Sequence, residues 1–245
     1  MSSLLLYFTG ARPMVLTVAI DGLNRSGKGT QLHLLKRFLQ DRGLPAVILR
    51  GDGSREGKGL SEGDPCDEWW QRFRSRLADA VTSMQRFACW NEAADRLAEE
   101  YLHWRDSLMP QQVQRVNAPC GVILLDRSLL SRLMLAADER GSISLEGLYR
   151  TEYHGTPVTW ETMMPDRMLV LVAQQDTLLA RLDPDDPKYG FRSGLILEKY
   201  SLFQAVLDGL PQELQGVTRH VDADQSIESV WRVCLEEAKC VIARK

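Results

Sequence analysis

Ile20-Asp21-Gly22-Leu23-Asn24-Arg25-Ser26-Gly27-Lys28-Gly29-Thr30-Gln31 follows an apolar run rich in β-branched residues, Met14 to Ile20. It leads into Leu32, Leu34, Leu35, Phe38 and Leu39, which have helical spacing. A strand, a glycine-bounded loop, a lysine and a helix together are the context of a phosphate-binding loop. The glycines let backbone N–H groups face phosphates without a Cβ in the way, and the helix N-terminus adds a favourable partial charge. Lys28 can then set its ammonium near the β- and γ-phosphates. A turn that merely joins strand to helix needs neither this lysine nor glycine at both ends. Gly22, Asn24, Ser26, Gly27, Lys28, Gly29 and Thr30 are therefore the candidate nucleotide-binding residues.

The usual loop carries Ser or Thr directly after the lysine, and its hydroxyl holds Mg²⁺. Here Gly29 stands there and Thr30 comes one later. Gly-Lys-Gly-Thr is similar to the form in adenylate-kinase-like nucleotide kinases. That likeness implies a metal held by phosphates and water, with no direct side-chain ligand.

The 245 residues suit one domain, and 44% hydrophobic with 26% charged residues is a globular composition. A net charge of −3 argues against a nucleic-acid-binding surface. Trp69 and Trp70 with Arg72, Arg74 and Arg76 read as a helix with a solvated basic side. Five cysteines without a C-x-x-C pair, and four scattered histidines, argue against a zinc site and fit a reducing cytoplasm. Leu4 to Phe8 is too short for a signal segment, and no run approaches a membrane span. Residues 1–13 read as an extension and 14–245 as a single domain.

Four further strands are expected at 46–50, 121–125, 168–172 and 217–221. A glycine-rich, charged segment at 51–59 is suited to wrap a ligand. Asp64-Pro65 opens a helical region that reaches about Val116. Residues 128–165 read as helical around a polar interruption. Residues 183–192 interrupt a helix that resumes through about Leu207, and a closing helix starts at Ser226. Strands alternating with helices imply an α/β fold with a mainly parallel sheet. Ligands then bind at the carboxyl ends of the strands, where Ile20, Arg50 and Asp126-Arg127 all fall.

In that order the motifs resemble the thymidylate kinase family of P-loop nucleotide kinases, across roughly Met14 to the C-terminus. Gly22 to Lys28 resembles the family's Gly-x-Asp-Arg-x-Gly-Lys loop, and Leu125-Asp126-Arg127 its strand-end Asp-Arg. Met164-Pro165-Asp166, the lid-like Arg181 to Arg192, and Val221-Asp222-Ala223 with the helix start after it complete the likeness. The resemblance implies a P-loop fold with a five-stranded parallel sheet flanked by helices and a mobile lid near 183–192. It also implies a homodimer and, with ATP and Mg²⁺, phosphoryl transfer to a nucleoside monophosphate such as dTMP.

The same resemblance assigns roles. Lys28 and the loop amides hold the donor phosphates, Arg25 reaches the transferring group, and Asp126 orients water on Mg²⁺. Arg127 bridges donor and acceptor phosphates. Lys188 and Arg192 are lid cations. Asn24 stands where the family has a carboxylate for the sugar hydroxyl. Arg50 or Arg55 meets the acceptor phosphate, the register being open through the glycines. Tyr101 stacks on the base and Arg105 reads its edge, or Tyr101 and Trp104 simply fill a core. His103, Trp104 and Ser128 depart from the family pattern, so the match is good for the donor half and poor for the acceptor half. Two alternatives stay beside this reading: a kinase with a different small acceptor, nucleoside or non-nucleotide, and a nucleotide-binding regulator without turnover.

Overall fold

The structure, a computed structural model, describes residues 13–50, 72, 75, 76, 79, 80, 83–185 and 189–243. The extension up to residue 12, the segment 51–59 with Arg55, the helix start at Asp64, Trp69-Trp70 and the lid residue Lys188 lie outside the described residues. All five expected strands form: β1 Met14–Gly22, β2 Ala46–Arg50, β3 Cys120–Asp126, β6 Arg167–Val172 and β7 Thr218–Asp222. They make one parallel sheet in the order β2-β3-β1-β6-β7. Central parallel strands are covered on both faces and so read as unbroken apolar runs. Leu16 to Gly22 of β1 and Cys120 to Leu125 of β3 are buried throughout. Each fully buried Leu or Ile here contributes roughly 1.5–3 kcal/mol.

Side chains alternate across a strand, and β1 shows what each face meets. Tyr101 of α2 (Ser83–His103) shares a hydrogen bond with Thr17, while Ser131 of α4 (Leu129–Arg140) donates to Asp21. Leu16, Val18 and Ile20 are left for the other face, which α1 (Lys28–Gln40) and α8 (Ile227–Ala243) cover. Phe38 of α1 meets Trp231 of α8 edge-on at 6.1 Å. The chain is completed by α5 Gln175–Ala180, α6 Tyr189–Asp208 and α7 Gln212–Gln215.

Two stretches differ from the sequence expectation. The helix reaching Val116 is not uniform: α2 and α3 (Met109–Val116) are joined by a π-helical turn, Trp104–Leu108. Pro110 has no N–H for the carbonyl four residues back, and Met109 N–H bonds instead to Trp104 O. Residues 128–165 are helical only as far as Arg140, where Gly141 at φ +67 closes α4. Farther on, β4 (Glu152–Tyr153) and β5 (Thr156–Pro157) form an antiparallel hairpin. Its two turn residues, His154 and Gly155, take φ +52 and +74, the left-handed pair that tight hairpins need.

Candidate active site

Strand register builds the site first. Arg50 at the end of β2 pairs with Asp126 at the end of β3, and Asp126 pairs on its other side with Ile20 of β1. Beyond Ile20 the chain turns sharply. Gly22 sits at φ +141, and a Cβ there would lie 2.6 Å from the Leu171 carbonyl oxygen of β6. Ser26 N–H closes the loop on Leu23 O at 3.2 Å, and Gly27 at φ +97 starts α1. No side chain caps α1, so its first-turn amides and the positive end of its dipole serve the loop. Ser26 Oγ is buried and makes no hydrogen bond. These features fit a bound phosphate chain.

Lys28 folds back over this turn. Its Nζ donates to the carbonyl oxygens of Gly22 and Leu23, each at 2.9 Å. Its pKa is lowered to about 8, first by burial and then by the nearby Arg127 charge, against the upward pull of Asp126 and Asp21. Asp126 is shifted upward by burial, against the opposing pull of Lys28, Arg127 and Arg50. Its Oδ2 lies 3.5 Å from Arg50 Nε, and its buried Oδ1 makes no hydrogen bond. Three cations, Lys28, Arg50 and Arg127, thus crowd two carboxylates, Asp21 and Asp126. An anion would relieve the excess positive charge.

Arg127 and Arg25 both hold left-handed backbone, at φ +77 and +67. Non-glycine residues rarely do so, and such strain concentrates at functional sites. Arg127 donates from NH2 to Asn24 Oδ1 at 2.9 Å. Arg25 is exposed, and its carbonyl oxygen accepts from Arg181, which also donates to Ala223 O at 2.7 Å. Beneath them Asp21, 1% exposed, accepts from the N–H and Oγ of Ser128 and from Oγ of Ser131. That cluster ties the root of the loop to the start of α4 and so fixes the corner that bears Arg127.

A cleft of about 190 Å³ opens beside Gly22, Leu23, Asn24 and Arg127. One face of α4 lines it with Ser131, Met134, Leu135 and Asp138, spaced for a single helical face. Trp90 of α2 and Leu195, Ile196 and Leu202 of α6 close it, with the Lys199–Asp138 ion pair at 2.7 Å. A smaller lobe sharing Trp90, Arg127, Ser131 and Leu135 ends on Arg132 and Tyr149.

The structure therefore gathers Gly22, Asn24, Ser26, Gly27, Lys28, Arg50, Asp126 and Arg127 at one place. Gly29 and Thr30 follow in the first turn of α1, and Arg192 lies in the first turn of α6. Tyr101 and Arg105 are not placed with them. Tyr101 is 1% exposed, its hydroxyl on Thr17 Oγ1 at 3.0 Å in the core. Arg105 grips Asp106 through two nitrogens, at 3.0 and 3.1 Å, and donates to Thr162 O at 2.8 Å. Neither residue lines either lobe. The cause is helix length, not phase: Trp90 lies three turns before Tyr101 on the same face, and it is that turn of α2 which reaches the cleft.

Several residues escaped the sequence reading. Arg132, 4% exposed, sits on the apolar face of α4 between Leu129 and Ala136 and binds Leu148 O, Asn91 and Asp95. A lone arginine on an otherwise apolar helical stripe was the available signal. Asp21, an acid at the end of an unbroken apolar strand, was another. Among the described residues no cluster of three or more His, Cys, Asp or Glu side chains could hold a metal, and no helix is long and apolar enough to cross a membrane.

The fold is that of the P-loop nucleoside triphosphatases, a five-stranded parallel sheet flanked by helices. Among solved structures the chain is similar to a thymidylate kinase from Candida albicans, with a TM-score of 0.53, 18% identity and coverage of 95% of this chain and 93% of that one. Among curated proteins a thymidylate kinase of Nitrosomonas europaea is 29% identical over 80 residues. That match spans 33% of this chain and about a third, 35%, of the relative's length. No family model matches.

Proposed function

We propose that the protein is a nucleotide kinase that moves the γ-phosphoryl of ATP to a small phosphate acceptor, in the manner of the thymidylate kinases it resembles. The observation that carries this is the meeting of Lys28 and Arg127 at the turn after β1, with Arg50 paired to Asp126 at the adjoining strand end. Phosphoryl transfer asks a protein for alignment and charge neutralisation. Lys28 and the first-turn amides of α1 would hold the donor's β- and γ-phosphates. Arg127, standing between the loop and the cleft, would bring an acceptor oxygen in line with the γ-phosphorus. As that oxygen bonds to phosphorus, the bond to the β–γ bridging oxygen breaks and ADP leaves with the electron pair. Arg25 and Arg192 would add charge on closure of the lid, and Lys188 is proposed with them.

Mg²⁺ fits the loop without a protein hydroxyl: Gly29 offers none, and the unpartnered Oδ1 of Asp126 can orient metal-bound water. There it would neutralise donor phosphate charge. The same reading carries a homodimer in the cytoplasm, with no nucleic-acid or membrane partner.

The acceptor is proposed as a nucleoside monophosphate, dTMP first. A second reading, an acceptor other than a pyrimidine nucleotide, is favoured by the burial of Tyr101 and the engagement of Arg105 away from the cleft. Incubation with ATP, Mg²⁺ and a panel of nucleoside monophosphates, nucleosides and other small phosphate esters decides between them. ADP formed only with dTMP supports the first, and ADP only with a non-pyrimidine acceptor the second. No acceptor-dependent ADP with any of them overturns the kinase reading and leaves a nucleotide-binding regulator.

A further inference from the structure

Beside Arg50 stands a residue that no motif singles out. His33 lies on α1, five residues beyond Lys28, and its Nε2 is 2.6 Å from Arg50 NH2. Arginine stays protonated and carries donors only. A contact this short is a hydrogen bond only if Nε2 holds its lone pair, which puts the ring proton on Nδ1. Arg50, with 17% of its side chain exposed, is thus hydrogen-bonded by the imidazole at NH2 and ion-paired with Asp126 Oδ2, which lies 3.5 Å from an Nε that makes no hydrogen bond.

The two holds differ in kind. A carboxylate fixes a guanidinium and also cancels its charge. A neutral imidazole fixes it and leaves the charge for a third group. Asp126 is meanwhile shared with Lys28 and Arg127, so it does not neutralise Arg50 alone. His33 also belongs to the helix whose N-terminus receives the donor phosphates, so the contact sets Arg50 at a constant distance from that end. The other charged groups near His33 on its own helix are Lys36 and Arg37, one turn on.

We infer that His33 is a positioning residue: its unprotonated Nε2, hydrogen-bonded to the Arg50 guanidinium, holds that group at the mouth of the loop with its charge available to an acceptor phosphate. The inference rests on the phosphoryl-transfer reading for what Arg50 receives, and on the His33–Arg50 contact for how it is held.

The test uses the full chain in two arms. In the first, ¹⁵N NMR of the histidine rings, with His33 assigned through His33→Gln, reads the tautomer without any turnover. A neutral Nδ1–H ring at pH 7.5 is expected, with that preference lost in Arg50→Met; an Nε2–H or doubly protonated ring in the wild type overturns the inference. In the second, steady-state kinetics are taken with the best acceptor from the panel. His33→Leu is expected to lower kcat/KM for the acceptor about ten- to a hundred-fold, the loss of one charge-assisted hydrogen bond. The KM for ATP should stay within about two-fold. His33→Gln, which keeps a neutral acceptor, should recover most of the loss, and His33→Glu should not, because it cancels the charge. Equal acceptor kinetics in wild type and His33→Leu overturn the inference, as does failure of Gln to rescue. Wild-type protein with the expected tautomer and no turnover supports the contact and overturns the kinase reading alone.

Discussion

Arg127 reaches across the mouth of the cleft to Asn24, NH2 to Oδ1 at 2.9 Å, from a backbone held at φ +77. A side chain carried on strained backbone is aimed by its surroundings, here by Asp21, which grips Ser128 and Ser131 just beyond it. Arg127→Ala removes a cation that the proposed reaction needs as charge shifts and that donor binding does not need. Turnover should fall about 10²–10³-fold, while ATP affinity measured by calorimetry stays within a few-fold. Unchanged activity would take Arg127 out of the chemistry.

Lys28 titrates in a usable range. Its folded-state pKa of about 8 is below the ordinary 10.5, so the folded protein holds this proton less tightly than the unfolded chain. Between about pH 8 and 10.5 the unfolded state binds more protons, and stability from this group rises with pH; below pH 8 the full cost of the buried charge is present. Relative to Lys28→Met, the wild type should gain about 3 kcal/mol at most across that window, read by urea titration at several pH values. Triphosphate in the loop favours the charged amine. ATP binding near pH 8 should therefore take up protons, visible as a dependence of calorimetric heat on buffer ionisation enthalpy.

Gly22 is the tightest point of the loop. A Cβ would meet the Leu171 carbonyl oxygen at 2.6 Å and Ser26 Oγ at 2.8 Å, on backbone at φ +141. Backbone cannot yield as a flexible side chain does, so Gly22→Ala must displace the loop from β6. A stability loss of about 1–3 kcal/mol is expected, and with it loss of ATP binding. Gly29→Ala is the control for the stability loss alone, since no protein atom stands within 4 Å of a Cβ there. Equal ATP affinity in wild type and Gly22→Ala would show that the turn is not what grips the phosphates.

The sheet was legible because each parallel strand buried on two faces must be a continuous apolar run, as Gly121 to Leu125 and Met168 to Val172 are. The loop was legible because glycine at both ends and Lys28 have few other uses between a strand and a helix. The hairpin at Glu152 to Pro157 was not, since its turn is His154-Gly155 and its strands are two residues each. The placement of Tyr101 and Arg105 apart from the cleft was not legible either, for a different reason. Spacing shows that one helical face is apolar but not which turn of a 21-residue helix meets a cleft. Trp90 and Tyr101 look equivalent in the sequence; only the packing of α2 on α4 separates them. His33 was invisible because its partner, Arg50, is brought to it by the sheet.

Tyr101 offers a direct test of where the acceptor lies. Its hydroxyl meets Thr17 Oγ1 at 3.0 Å, and burial pushes its pKa above the usual tyrosine value, as a phenol sealed from water requires. Tyr101→Phe keeps the ring and removes one buried hydrogen bond, leaving the Thr17 hydroxyl without that partner. Stability should fall by about 1 kcal/mol, measured by denaturant titration, with acceptor kcat/KM unchanged. Trp90→Ala should do the reverse where function is concerned: it opens the wall of the cleft beside Arg127 and should raise the acceptor KM with little change in the KM for ATP. If Tyr101→Phe instead altered acceptor choice while Trp90→Ala did not, the cleft beside Gly22 and Arg127 would not be where the acceptor's body lies.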